Sequence, residues 1–306
     1  MRTTEHKVRP LRSGEERLLC ANAKFTQCNW LVDTEGALCM ACVVTRKVPG
    51  GDYERSFTAR RKFERAKQRL LFALLRLGIF PAYAQSGEWR LEINLLEDRR
   101  QNPNVAEDWV PTGHVAGVIT INANEADRVL LEATRQEFGE KYRSLLGHLR
   151  HESGHYFWQL LVAQNPEKLT AFRRLFGDER ADYAESLRRY YALPAEIHGE
   201  TRDDYITPYA ASHPYEDWAE SWAHYLHMED ALATAGELGL VLFQELNGDN
   251  FDRQLSWWMD IARIANETNA SLGLRPAYLF TPSGQAKEKM RFIGDTIRQA
   301  ADKAVC

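Results

Sequence analysis

The sequence predicts a helix-rich α+β protein with a small sheet, preceded by a short cysteine-bearing module. Three observations predict it. From residue 125 onward, apolar residues recur almost entirely at helical spacing. Only two earlier segments, 89–96 and 115–121, alternate as strands do. Four cysteines crowd into residues 18–44, ahead of a Pro/Gly turn cluster at 46–52 that marks a boundary. The division expected is therefore 1–52 and 53–306.

Residues 1–19 are polar, without an apolar period, and read as a loose lead-in. After the boundary, Phe63, Ala66, Leu70, Leu74 and Leu77 define a helix that Gly78 ends. Around them lie Arg60, Arg61, Lys62, Arg65, Lys67 and Arg69, which read as a solvated face. Residues 97–113, with Pro103 and Pro111, form a polar loop between the two strands. The strand at 115–121 offers either sheet core or an edge for an extended peptide. Further helices are expected at 125–135, 139–164, 166–175, 179–191, 216–233, 251–268 and 284–303. The formal charge of −4 gives no argument for nucleic acid or an anionic membrane. The longest apolar run, 70–77, is interrupted by Arg76 and falls short of the roughly 18 residues a spanning helix needs. The N-terminus shows no signal-peptide pattern, so a cytoplasmic setting is expected.

The helix at 139–164 carries His151-Glu152-x-x-His155. Residues four apart on a helix share a face, so both imidazoles can reach one zinc ion. Glu152 follows the first histidine, and a carboxylate there can take a proton from water at the metal's open position. A catalytic zinc site usually has three protein ligands. The segment His213-Pro214-Tyr215-Glu216-Asp217-Trp218-Ala219-Glu220 supplies the third. Pro214 suits a helix start, with Glu216 and Asp217 in the first turn. Glu216 is taken as the ligand, with His224 and Asp217 as rivals and a three-histidine site also open. Glu220, one turn on, can accept the other ring N–H of a ligand histidine. Small Ala219 and Ala223 would let the two helices approach closely. Tyr209 is a candidate to donate to the oxygen that gains charge when water adds to a carbonyl, and His213 is a second candidate. His148 is expected near the site without binding metal. His6, His114, His198 and His227 carry no role.

Four thiolates at Cys20-x7-Cys28 and Cys39-x2-Cys42 suit a closed, structural zinc site, which can fold a segment too small for its own core. Cys306 has no assigned role.

These residues resemble the bacterial family of zinc-binding metallopeptidases with an N-terminal zinc ribbon. The likeness rests on Cys28-Asn29-Trp30-Leu31-Val32, Gly117-Val118-Ile119-Thr120-Ile121-Asn122, Glu125-Ala126-Asp127, Tyr142-Arg143-Ser144-Leu145-Leu146-Gly147-His148, Arg150-His151-Glu152-Ser153-Gly154-His155-Tyr156, Phe176-Gly177-Asp178-Glu179-Arg180 and His213-Pro214-Tyr215-Glu216-Asp217-Trp218-Ala219-Glu220. It covers most of residues 20–235. The resemblance implies a zincin-like fold and a zinc-dependent hydrolase of the glutamate-liganded kind, and it favours Tyr209 as the phenol. Family members often carry a further pair of Cys-x2-Cys elements upstream. None of the residues before Cys20 is cysteine, so a ribbon with a single site is expected. Two zinc ions follow, one catalytic and one structural. The substrate would be a peptide or protein, with the N-terminal module open to a protein partner. The alternatives are a non-catalytic zinc-binding regulatory protein and a zinc hydrolase of a non-peptide amide.

Overall fold

The computed structural model describes residues 3–4, 7–8, 16–50, 54–83, 90–100, 102–137, 143–193, 204–240 and 250–305, and each structural statement below is made of them. Two compact units divide the chain. The first comprises Met1–Arg76, Phe80–Glu132 and Ser144–Leu149. The second comprises Leu77–Ile79, Ala133–Arg143 and Arg150–Cys306.

The first unit opens with an antiparallel meander of β1 (Thr3–Thr4), β2 (Lys7–Val8), β3 (Arg17–Leu19) and β4 (Leu31–Val32). The lead-in is thus partly strand, in pieces too short to show alternation. Two single-turn helices, α1 (Ala23–Thr26) and α2 (Met40–Val43), carry the segments between cysteines. β5 (Thr45–Lys47) then pairs in parallel with β6 (Glu92–Leu96), so the first residues of the turn cluster are hydrogen-bonded into the second sheet. That sheet has the order β5-β6-β8-β7, with β7 (Gly113–Val115) antiparallel to β8 (Val118–Asn122). Ile93, Leu95, Ile119 and Ile121 are its buried apolar residues, joined by Leu91 just before β6. Trp89 lies outside the described residues.

The expected strand at 115–121 is in fact a hairpin. Ala116 and Gly117 both sit in the left-handed region, with φ of 49° and 85°, as a two-residue hairpin turn requires. The apolar run continues through the turn, which hides it, and Val115 ends 75% exposed. β8 is flanked on both sides, so it offers no edge; β5 and β7 are the edge strands.

The long helix α3 (Glu54–Arg76) buries Phe63, Leu70, Leu71 and Leu74. Its basic face is only partly solvated. Lys67 is fully buried, pairing with Glu64 at 2.7 Å, and Lys62 donates to the Ala126 carbonyl at 2.7 Å. The loop after β6 is held by buried Asp98, which accepts from Val110 N–H, Asn122 and Asn124 and pairs with Arg100. Burial pushes this carboxyl up, but Arg100 and Asn122 outweigh it and hold it far below the usual carboxylate range. α4 (Arg128–Glu137) follows a 3₁₀ turn at Ala123–Ala126.

α5 (Leu145–Trp158) starts later than the period suggested, and 138–142 lie outside the described residues. It runs into a π-helical turn, Gln159–Ala163. The second unit is completed by α6 (Pro166–Phe176), α7 (Tyr183–Tyr191), α8 (Pro214–Glu237), α9 (Phe251–Ser271) and α10 (Gly284–Val305). α7 begins at Tyr183 rather than 179, because Asp182 caps it by accepting from Glu185 N–H at 2.9 Å. Trp218, Trp222, Tyr156, Phe157 and Phe172 fill the core between α5, α6 and α8, with Phe157 stacked on Trp222 at 5.1 Å.

Close approach of α5 and α8 depends on Gly154. A Cβ there would meet Ala219 Cα at 3.0 Å and Trp222 Cδ1 at 3.1 Å. Trp218 Nε1 donates to the Gly154 carbonyl at 2.8 Å, and Trp222 Nε1 to Ser153 Oγ at 3.0 Å. Ala219 therefore does what its size suggested. Gly154→Ala should cost about 1–3 kcal/mol by overpacking. A denaturant midpoint unchanged from wild type would show that the helices are free to part.

Candidate metal centres

Local sequence positions the first donor set. His213 caps α8, its Nδ1 accepting the Tyr215 N–H at 3.0 Å, and Pro214 occupies the first turn. Glu216 and Asp217 follow, where the helix N-terminus favours carboxylates. Glu216 is 1% exposed. Its Oε2 lies 2.9 Å from His151 Nε2, and its Oε1 lies 3.5 Å from His155 Nε2. The two Nε2 atoms are 3.2 Å apart.

Those three distances are the fit test for a metal. A tetrahedron with arms of about 2.0–2.1 Å has edges of about 3.3 Å. Two imidazole nitrogens and a carboxylate turned toward one point, all buried, leave their lone pairs facing each other unless a cation lies among them. The residues fit zinc.

Each imidazole is held differently. His151 Nδ1 lies 2.6 Å from Glu220 Oε1, which orients the ring and turns Nε2 toward His155 and Glu216. Glu220 Oε2 accepts from Thr207 Oγ at 2.7 Å. His155 is instead stacked on Tyr215, with ring centres 4.2 Å apart. Burial pushes the His151 pKa down, but Glu216 and Glu220 outweigh it and raise it well above the usual histidine range. Burial likewise pushes Glu216 up, and the two histidines bring it well below the carboxylate range.

Glu152 is buried beside the donor set, and its charge adds to burial and Glu216 in raising the pKa of Tyr183 and Tyr215. Tyr209 sits with its ring 6.1 Å from that of His151. Burial, then Glu216, push its phenol well above the usual range, so it stays a donor. Tyr183 Oη donates to Glu216 Oε1 at 2.8 Å and shares a hydrogen bond with Tyr209.

The rival ligands lie elsewhere. His224 Nδ1 meets the Tyr278 hydroxyl at 2.7 Å, and burial lowers its pKa to about 4. Asp217 pairs with Lys289 at 2.7 Å, and burial raises it to about 7 against that pairing. His213 is spent on the cap and on donating from Nε2 to the Ala181 carbonyl at 3.1 Å, so it does not face a carbonyl substrate. His148 pairs with Glu125, and His114 accepts from Gly117 N–H. His227 lies against Arg150, which pairs with Asp230. His6, His198 and Cys306 lie outside the described residues. Tyr183 and Thr207 went unnoticed in the sequence, since neither has a periodic or motif signal.

The second donor set is Cys20, Cys28, Cys39 and Cys42, all buried, with sulfurs within 4.8 Å of one another. Cys28 Sγ lies 3.7 Å from Cys39 Sγ and 3.8 Å from Cys42 Sγ. Disulfide sulfurs would be about 2.0 Å apart, whereas zinc–thiolate arms of about 2.3 Å give edges of about 3.8 Å. The Cys28 and Cys42 thiols stabilise the Cys39 thiolate, lowering it to about 4.

A buried four-sulfur set and a buried imidazole–carboxylate set define a zinc-binding protein with two donor clusters. Residues 57–296 match the family described as "Putative zinc-binding metallo-peptidase", and the chain belongs to that family. Residues 2–52 match a zinc-ribbon domain. The uncharacterized proteins Mb2598c of Mycobacterium bovis and Rv2568c of Mycobacterium tuberculosis are each 38% identical over 293 residues, spanning 92% of this chain and 83% of theirs. No solved structure matches. No described helix is long and apolar enough to cross a membrane.

Proposed function

We propose that this chain is a zinc-dependent peptidase. The observation that carries the reading is the convergence of His151 Nε2, His155 Nε2 and a Glu216 carboxylate oxygen in one buried cluster, with Glu152 next in sequence to the first histidine. These three residues would hold a catalytic zinc, and the four cysteines a structural one. Zinc, when bound, supplies Lewis acidity, which activates water and polarises a carbonyl.

Glu152 accepts the proton of the attacking water and passes it to the leaving amine. Tyr209, kept protonated by burial, donates to the carbonyl oxygen as it gains charge. Glu220, braced by Thr207, holds the His151 ring with its Nε2 lone pair inward. Four free thiols suit a reducing cytoplasm. A protein partner is assigned to the N-terminal module, where Phe25, Leu31 and Leu38 keep apolar side chains in solvent.

The test is to profile the zinc-loaded protein against a peptide library and a panel of non-peptide amides. Cleavage of peptides is expected. Cleavage confined to the amide panel, or none by fully loaded protein, would sink the peptidase reading.

A further inference from the structure

The Glu216 carboxylate presents two oxygens, and the structure treats them differently. Oε2 is the closer to an imidazole, 2.9 Å from His151 Nε2. Oε1 is 3.5 Å from His155 Nε2, and it accepts a hydrogen bond of 2.8 Å from Tyr183 Oη. Tyr183 is odd as a packing residue. The residue is 45% exposed, and α7, which it opens, buries none of its side chains. Yet its hydroxyl reaches a carboxylate that is almost fully buried.

Several contacts aim that hydroxyl. Asp182 caps α7 and sets its start at Tyr183. His213 donates to the Ala181 carbonyl and meets the Tyr183 ring edge-on at 5.2 Å. His213 also caps α8, three residues before Glu216. One imidazole thus ties the segment that carries the phenol to the helix that carries the carboxylate. Tyr209 hydrogen-bonds the same hydroxyl.

We infer that Tyr183 is a positioning residue for the metal: by occupying Oε1 it presents Oε2 as the single ligand oxygen of Glu216 and keeps one coordination position free for water and substrate. This rests on the catalytic-zinc reading above. A carboxylate freed of its hydrogen bond can turn both oxygens to a metal. Outer partners of metal ligands are typically worth about 10–100-fold in metal affinity or activity.

The experiment compares wild type, Tyr183→Phe and His155→Ala as full chains. Zinc is titrated out with a competing chelator, and visible spectra are recorded after cobalt replaces zinc. Wild type should release two equivalents, and His155→Ala should lack one. Tyr183→Phe should retain both, with the equivalent missing from His155→Ala released at about 10–100-fold lower chelator concentration. Its cobalt bands from that site should weaken, as a fifth ligand atom would cause, while those of the thiolate site stay unchanged. The unchanged thiolate bands also report that the variant is folded. If Tyr183→Phe matches wild type in both titration and spectrum while His155→Ala loses an equivalent, the positioning role is overturned and the zinc reading stands. If His155→Ala keeps its full zinc content, both fall.

Discussion

Replacing Glu152 with glutamine is expected to leave zinc content at the wild-type level and to abolish peptide hydrolysis. The substitution keeps size, shape and hydrogen-bonding capacity, so the buried pocket beside Tyr183 and Tyr215 should not collapse. Glu152 is outside the donor set, so metal binding should survive. What is lost is the basic carboxylate. An amide cannot accept a proton near neutral pH, and general-base contributions of this kind are worth about 10²–10⁴-fold. Here the same group would also return the proton to the leaving amine, so two steps fail together. The measurement is kcat on whichever peptide the wild type cleaves, alongside a metal assay of the same sample. Undiminished turnover would remove Glu152 from the chemistry.

Replacing Cys42 with alanine should have the largest effect on the N-terminal module. Apart from the cysteines, Ala41 and Val44 are the apolar side chains buried among the described residues of 16–47. Two small residues cannot offset the ordering entropy of such a segment, which is of order 1 kcal/mol or more per residue. The four sulfurs therefore carry the burden, and structural zinc in small domains supplies about 10–16 kcal/mol of apparent binding energy, which becomes folding energy. Amides of β3, α1, β4 and α2 should lose their hydrogen-exchange protection in the variant. Those of α8, in the other unit, should keep theirs. Protection unchanged around Cys20 and Cys28 would mean that the module folds without metal.

Much of both donor sets was legible because each depends on short-range sequence. His151, Glu152 and His155 are fixed by one helical turn, and Glu216 and Glu220 by another. Cys39 and Cys42 share a tight turn. The pairing of those two helices was legible only as a stripe of small residues, and the structure adds Gly154 to Ala219. Tyr183 and Thr207 were hidden because their partners, Glu216 and Glu220, are 33 and 13 residues away. A tyrosine far along the chain gives no local sign of where its hydroxyl will go. Lys67 was misread for a related reason. A basic residue three positions after a glutamate looks the same in sequence whether the pair is solvated or buried, and here it is buried. The hairpin at Ala116 and Gly117 was concealed by apolar residues on both sides of its turn.

The central claim is that one zinc ion is held by His151, His155 and Glu216 and another by the four cysteines. Native mass spectrometry of wild type, His155→Ala and Cys42→Ala tests it directly. Two zinc ions in wild type and one in each variant is the predicted result. A His155→Ala protein that still carries two would contradict it.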